Sequence, residues 1–152
     1  MATILLLSGP NLNLLGERDP AQYGTTTLAE LVALATETAA KRGHEIEHLQ
    51  SNHEGVLVDA IQGARNRCAA IVFNPGAFSH YAYALTDALA TFDGVKVEVH
   101  LSNPYAREEW RRHSVIAPVV DGSITGFRAA GYRLAVDAAA SLLEVRALED
   151  RA

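Results

Sequence analysis

Short apolar runs alternate along this chain with stretches of helical spacing, and that alternation restricts the fold more than any other feature. Thr3 to Leu7, Glu45 to Gln50, Ala70 to Phe73, Val95 to Leu101 and Val119-Val120 read as strands. Between them, Thr27 and Glu30 form a capping-box pattern ahead of Leu28, Leu31, Leu34 and Ala35, with Gly43 as the stop. Gly55 to Arg67, Ser79 to Ala90 and Phe127 to Val145 have the spacing of further helices, and Arg107 to Arg112 that of a short one. A strand apolar on both faces, such as Ala70 to Phe73, needs parallel neighbours and a helix on either side.

The expected fold is therefore α/β: a flavodoxin-like, doubly wound sheet of five parallel strands in the order 2-1-3-4-5. The 152 residues suit one domain over 1–152, with no linker, repeat or low-complexity segment. A formal net charge of -5, with no run of basic residues, removes nucleic acid and anionic membrane from the expected partners. Cys68 is the only cysteine and has no partner for a disulfide, which suits a reducing cytoplasm. The apolar run Ile4 to Leu7 lacks a basic leader and stops at Ser8-Gly9-Pro10, too short for a signal peptide or a membrane span. The chain is expected to be soluble and cytoplasmic.

Several motifs invite chemistry that their context denies. His44-Glu45-Ile46-Glu47-His48 matches the zinc-protease pattern HExxH, but that pattern needs a helix. Gly43 has just ended one, and Ile46 and Leu49 suit a half-exposed strand. Gly9 to Gly16 is followed by Glu17-Arg18 rather than Lys and Ser or Thr, so it is not a phosphate loop. Ser8-Gly9-Pro10-Asn11 offers no acidic residue for the magnesium of a receiver-type domain. Cys68, entering an apolar strand, reads as a small core residue. The only lysines are Lys41 and Lys96, neither beside the candidate clusters, which disfavours Schiff-base chemistry.

Ligands of doubly wound sheets bind beyond the C-terminal ends of the strands. Three polar clusters fall there: Asn11, Asn13, Arg18 and Tyr23 after the first strand; Asn74, Ser79 and His80 after the third; Glu98, His100, Ser102 and Asn103 at the end of the fourth. Glu98 and His100 lie two apart and face the same side, where a buried sheet normally places Val or Ile. A carboxylate beside an imidazole in that position is a satisfied internal ion pair, the wet face of an edge strand, or a pair with a chemical purpose. A non-catalytic, flavodoxin-like module binding an anionic metabolite would use the same loops.

Four stretches carry a family resemblance: Gly9-Pro10-Asn11-Leu12-Asn13-Leu14-Leu15-Gly16; Arg18-Asp19-Pro20 to Tyr23-Gly24; Asn74-Pro75-Gly76-Ala77 with His80; and Glu98-Val99-His100-Leu101-Ser102-Asn103 through Ala106-Arg107-Glu108-Glu109 to Arg111. In this order and spacing the chain closely resembles type II 3-dehydroquinate dehydratase, over nearly its whole length. Asp19 departs from the Glu common in the family, and Asp121 to Ala129 is more polar than usual.

The resemblance implies anti elimination of water from 3-dehydroquinate to give 3-dehydroshikimate, in the shikimate pathway of aromatic amino acid and chorismate biosynthesis. The reaction runs through an enolate, with no metal and no cofactor. By the same resemblance Tyr23 is the base for the C2 proton and His100 the acid for the C1 hydroxyl. Arg18 depresses the Tyr23 pKa, Asn11 orders the group that stabilises the enolate oxygen, and Glu98 orients His100. Asn74 and the backbone amides of Leu101 and Ser102 would hold the substrate carboxylate. His80, Arg111 and Asp87 would contact ring hydroxyls, Asp87 reaching into a neighbouring subunit's site. A homo-dodecamer, built as a tetramer of trimers, is implied as well.

The physics of a tyrosine base sets one further condition. A free tyrosine, with a pKa of about 10, is a poor base at neutral pH. An arginine at ~4 Å favours the phenolate by about 1 kcal/mol in bulk water but by about 4 kcal/mol at an effective dielectric near 20. The site should therefore be partly dry, with residues 16 to 24, between Gly16 and Gly24, acting as a lid. Arg107 and Arg112 read as members of a solvated helix face beside Glu108 and Glu109.

Overall fold

The computed structural model describes residues 1–152. Strands β1 (Thr3–Ser8), β2 (Glu45–Gln50), β3 (Ala70–Asn74), β4 (Val95–His100) and β5 (Gly122–Thr125) pair in parallel, in the order β2-β1-β3-β4-β5. The helices are α1 (Pro20–Tyr23), α2 (Leu28–Lys41), α3 (Glu54–Ala64), α4 (Tyr83–Ala90) and α5 (Ala129–Glu149). The expected class and strand order are those observed.

Alternation along the strands divides the core into two layers. Ile4, Leu6, Ala70, Val72, Val95, Val97 and Val99 meet Leu31, Ala35 and Ala39 of α2 and Tyr132, Ala135, Val136 and Ala139 of α5. On the opposite face, Leu5, Leu7, Ile71 and Phe73 meet Leu57, Ile61 and Ala64 of α3 and Leu85, Ala88 and Leu89 of α4. Helix α2 starts where the sequence says it should. The Thr27 hydroxyl accepts from the Glu30 amide at 3.2 Å, and the Glu30 carboxylate accepts from the Thr27 amide at 3.1 Å.

Among the three central strands, β4 is the exception to two-sided apolarity. Its Lys96, Glu98 and His100 point toward the α3/α4 layer, and each needs its own solution. Lys96 extends its ammonium to the Leu89 and Phe92 carbonyls, at 3.2 and 2.6 Å, near the C-terminal end of α4. Helix α4 is short, so residues 109–119 close this side of the sheet beyond it and face Glu98.

Several boundaries differ from those the sequence spacing predicts. The fifth strand is Gly122–Thr125 rather than Val119-Val120, and Ala117–Val119 forms a 3-10 turn. This is an edge strand fixed by its ladder to β4, and the Lys96 amide donates to the Asp121 carboxylate at 2.7 Å where that ladder begins. Apolar periodicity carries little signal for such a strand. The segment expected as one helix from Ser79 splits into a 3-10 stretch, Gly76–His80, and α4. Arg107 to Arg112 becomes the 3-10 segment Glu109–Arg112. His44 to His48 lies mostly in β2, so its two histidines are spread along a strand instead of stacked on a helical turn. Cys68 is buried in the core.

The loops after β1 and β3 touch at Gly9. Its amide donates to the Asn74 carbonyl at 2.8 Å, and a Cβ at this position would lie 2.4 Å from the Pro75 carbonyl oxygen. Gly9→Ala must push the Asn74-Pro75 turn away from the β1 loop. It is expected to cost about 1–3 kcal/mol in chemical denaturation, and an unchanged midpoint would mean the turn moves freely.

Candidate active site

A cavity of about 230 Å³ opens beyond the C-terminal ends of β1, β3 and β4. Asn11, Arg18, Tyr23, Asn74, His80, Glu98, His100, Leu101, Ser102 and Arg111 all line it. Asp87 does not. It is exposed on α4 outside this cavity, so any contact it makes with a ligand would have to be in another copy's site.

The β4 wall carries a rigid polar pair. Glu98, only 1% exposed, accepts from His100 Nε2 at 2.6 Å. The carboxylate is the acceptor, so Nε2 carries the proton and Nδ1 is the nitrogen available for transfer. Ser114, which the sequence reading passed over, donates from its hydroxyl to the same carboxylate at 3.0–3.1 Å. Its oxygen in turn accepts from the amides of Ile116 and Ala117, at 3.1 and 3.0 Å. No local pattern marks Ser114, because its partner lies 16 residues earlier on another element.

The opposite wall is the loop after β1. The Asp19 carboxylate caps α1, accepting from the Ala21 amide at 3.0 Å, and Pro20 supplies the first helical position. This single turn presents Tyr23. Arg18 Nη2 donates to the Tyr23 hydroxyl oxygen at 3.0 Å, with the guanidinium carbon 4.1 Å from the ring centroid. Gly16 and Gly24, at φ of 94° and 77°, bound the segment with backbone that glycine adopts freely.

Arg107 corrects the sequence reading. It does not lie on a solvated helix face. Its side chain is 11% exposed, donates to the Ser102 hydroxyl at 3.1 Å and sits 5.1 Å from the Tyr23 ring centroid. Two guanidiniums thus flank one phenol. Arg112 also reaches the cavity wall. Arg111 pairs with Glu108 and stacks 4.1 Å from the Trp110 ring centroid.

Asn74 is fixed from both ends. Its Nδ2 donates to the Tyr132 hydroxyl at 3.0 Å and its Oδ1 accepts from the Gly76 amide at 3.2 Å. Burial pushes the Tyr132 phenol up to about 12, against the smaller pull of hydrogen bonds with Asn74 and Ser8, so this tyrosine stays neutral. Burial also lowers the His80 pKa. The bond to the His113 carbonyl at 2.7 Å, which opposes that shift, makes Nδ1 the donor and leaves Nε2 as an acceptor. Asn11, with φ 67°, precedes the 3-10 turn Leu12–Leu14, and its amide donates to the Asn52 side chain at 3.0 Å.

The charge of the cavity runs against that of the chain. Arg18, Arg107, Arg111 and Arg112 line it with Glu98 as the one carboxylate, whereas the molecule carries -5 overall. Six of its 23 lining residues are hydrophobic. A small cavity of this kind suits a compact, hydroxylated anion. Ser114→Ala would leave Glu98 with His100 as its one side-chain donor, at an expected cost of about 1–3 kcal/mol in folding stability. A loss below about 0.5 kcal/mol in denaturation would show that the hydroxyl does not hold the carboxylate.

A family model described as dehydroquinase class II matches residues 2–140. The chain is 53% identical over 139 residues to a 3-dehydroquinate dehydratase of Pelotomaculum thermopropionicum, covering 91% of this chain and 96% of that protein. It is 54% identical over 136 residues to one of Bacillus licheniformis, covering 90% and 94% respectively. The crystal structure of a type II dehydroquinase from Butyrivibrio crossotus matches with a TM-score of 0.88 at 44% identity, over 91% of this chain and 97% of that one. With a matching model over most of its length and relatives sharing half its residues, the chain belongs to the class II dehydroquinase family.

Proposed function

We propose that this protein is a 3-dehydroquinate dehydratase, a hydro-lyase that converts 3-dehydroquinate to 3-dehydroshikimate and water in the shikimate pathway. Family membership and the names of its relatives support the reaction. One observation carries the assignment of residues: the Arg18–Tyr23 pair and the Glu98–His100 pair face the same small, cationic cavity from separate elements. An anti elimination needs a base on one side of the ring and an acid on the other, and two such devices on separate elements around one cavity support that reading.

The Tyr23 phenolate removes a C2 proton and the electron pair moves into the C3 carbonyl, forming the enolate. Two nearby guanidiniums stabilise the negative phenolate oxygen before transfer. Asn11 orders the group that meets the enolate oxygen. The enolate then collapses, the C1–oxygen bond breaks, and His100 gives its proton to the departing hydroxyl so that water leaves. Glu98 stabilises the imidazolium and fixes its orientation. Asn74, with the amides of Leu101 and Ser102, holds the substrate carboxylate. His80, as a neutral acceptor, and Arg111 bind ring hydroxyls.

The reading carries with it a cytoplasmic location and an assembly of twelve chains as four trimers. Tyr83, 65% exposed, lies one turn before Asp87 on α4, an apolar surface beside the residue assigned to a neighbouring site. Sedimentation as a monomer would remove that part of the proposal.

Absorbance in the enone band of 3-dehydroshikimate, followed after mixing chelator-treated protein with 3-dehydroquinate, tests the activity. A sustained rise over many turnovers is expected, and a flat trace from folded protein would overturn the reading. Tyr23→Phe should abolish turnover while leaving carboxylate binding nearly intact. His100→Ala should lower kcat by about 100- to 10,000-fold. Wild-type rates in either variant would remove that residue from its role.

A further inference from the structure

Three non-glycine residues have positive φ, and two of them, Asn11 and Asn66, are of the type that tolerates it. The third is Arg128, at φ 51° and ψ -135°, a conformation that a residue with a Cβ adopts only when its surroundings force it. The forcing contacts are all around it. Gly126 donates its amide to the His100 carbonyl at 3.2 Å, and Arg128 donates its own to the Leu101 carbonyl at 3.0 Å. The Arg128 carbonyl accepts from Gly131 at 3.0 Å in the first turn of α5. A glycine would make each of these backbone bonds without strain. The reason for an arginine must therefore lie in its side chain.

That side chain reaches the lid. Nη2 donates to the Ala21 carbonyl at 3.2 Å, two residues before Tyr23 and 107 residues away in sequence. Its Cδ packs against Gly24, 3.6 Å from where a Cβ would stand. The backbone of Arg128 is thus pinned to the strand end that carries His100 and Leu101, while its guanidinium holds the helix that carries Tyr23. We propose that Arg128 is a positioning residue, a clamp that ties the lid to the end of β4 and keeps it closed over the cavity before substrate arrives.

The consequence for catalysis rests on the dehydratase reading. Free protein with a closed lid has its base already opposite its acid, so substrate binding need not drive closure. The bond is solvent-exposed, and a single hydrogen bond of this kind shifts an equilibrium by about 3- to 10-fold.

Three variants separate side chain from backbone. Arg128→Ala keeps the strain and removes the clamp, Arg128→Gly removes both, and Arg128→Lys keeps strain and charge. Both Ala and Gly variants should raise KM for 3-dehydroquinate by about 3- to 10-fold, with kcat within about twofold. Both should increase deuterium uptake in residues 17–24 but not in the sheet. Arg128→Gly should melt at or above the wild-type temperature, so loss of fold cannot account for its KM. Arg128→Lys should recover at least half of the change. Wild-type KM and wild-type uptake over 17–24 in the Gly variant would overturn the clamp. Uptake needs no substrate, so a wild-type protein inactive on 3-dehydroquinate would sink the dehydratase reading while the exchange still decided the clamp.

Discussion

The centre of a parallel sheet between two helical layers has no wet face, and the polar groups of the site are arranged around that constraint. Strands β1 and β3 obey it up to their last residues, Ser8 and Asn74, with Leu5, Leu7, Ile71 and Phe73 on one side and Ile4, Leu6 and Val72 on the other. Strand β4 obeys it on one face only. Its other face presents Lys96, satisfied by carbonyls of α4 and its end, and Glu98 and His100, which bond to each other, with the covering helix cut short and a 3-10 segment in its place. The cavity lies where α4, which begins only at Tyr83, leaves the end of β4 uncovered.

The two devices proposed for proton transfer sit on elements of very different rigidity. Glu98 and His100 belong to an internal strand, and Ser114 braces the carboxylate from the segment that closes over it. Tyr23 sits on a single helical turn between two glycines, in the segment proposed as a lid. In the proposed mechanism the acid is fixed in the scaffold and the base rides on the segment that shields the site from water. Arg128 joins the two sides.

Environment separates the roles of two tyrosines. Tyr132 is fully buried, neutral, and spends its hydroxyl on Asn74 and Ser8. Tyr23 faces the cavity with two guanidiniums beside its ring. The same side chain is structural in one place and is the proposed base in the other, where two guanidiniums and the cavity replace the dry core.

The strand and helix rhythm, the capping box of Thr27 and Glu30 and the acid–imidazole pair on β4 were legible in the sequence because each depends on neighbours within a few residues, and the strand order followed from the fold class that this rhythm implies. So was the clustering of polar residues past the strand ends, which topology alone places together. The position of β5 was not, since a short edge strand is chosen by the ladder it completes and not by its own apolar residues. Ser114, Tyr132 and Arg128 were invisible, and Arg107 was misread, for a related reason. Each owes its meaning to a partner on another element: Ser114 to Glu98, Arg107 to the Tyr23 ring, Tyr132 to Asn74, Arg128 to Ala21. Local periodicity determined which segments became strands and helices. Which polar groups meet was decided only when the loops crossed above the sheet, because a buried donor must find its acceptor in space, wherever the chain happens to bring one.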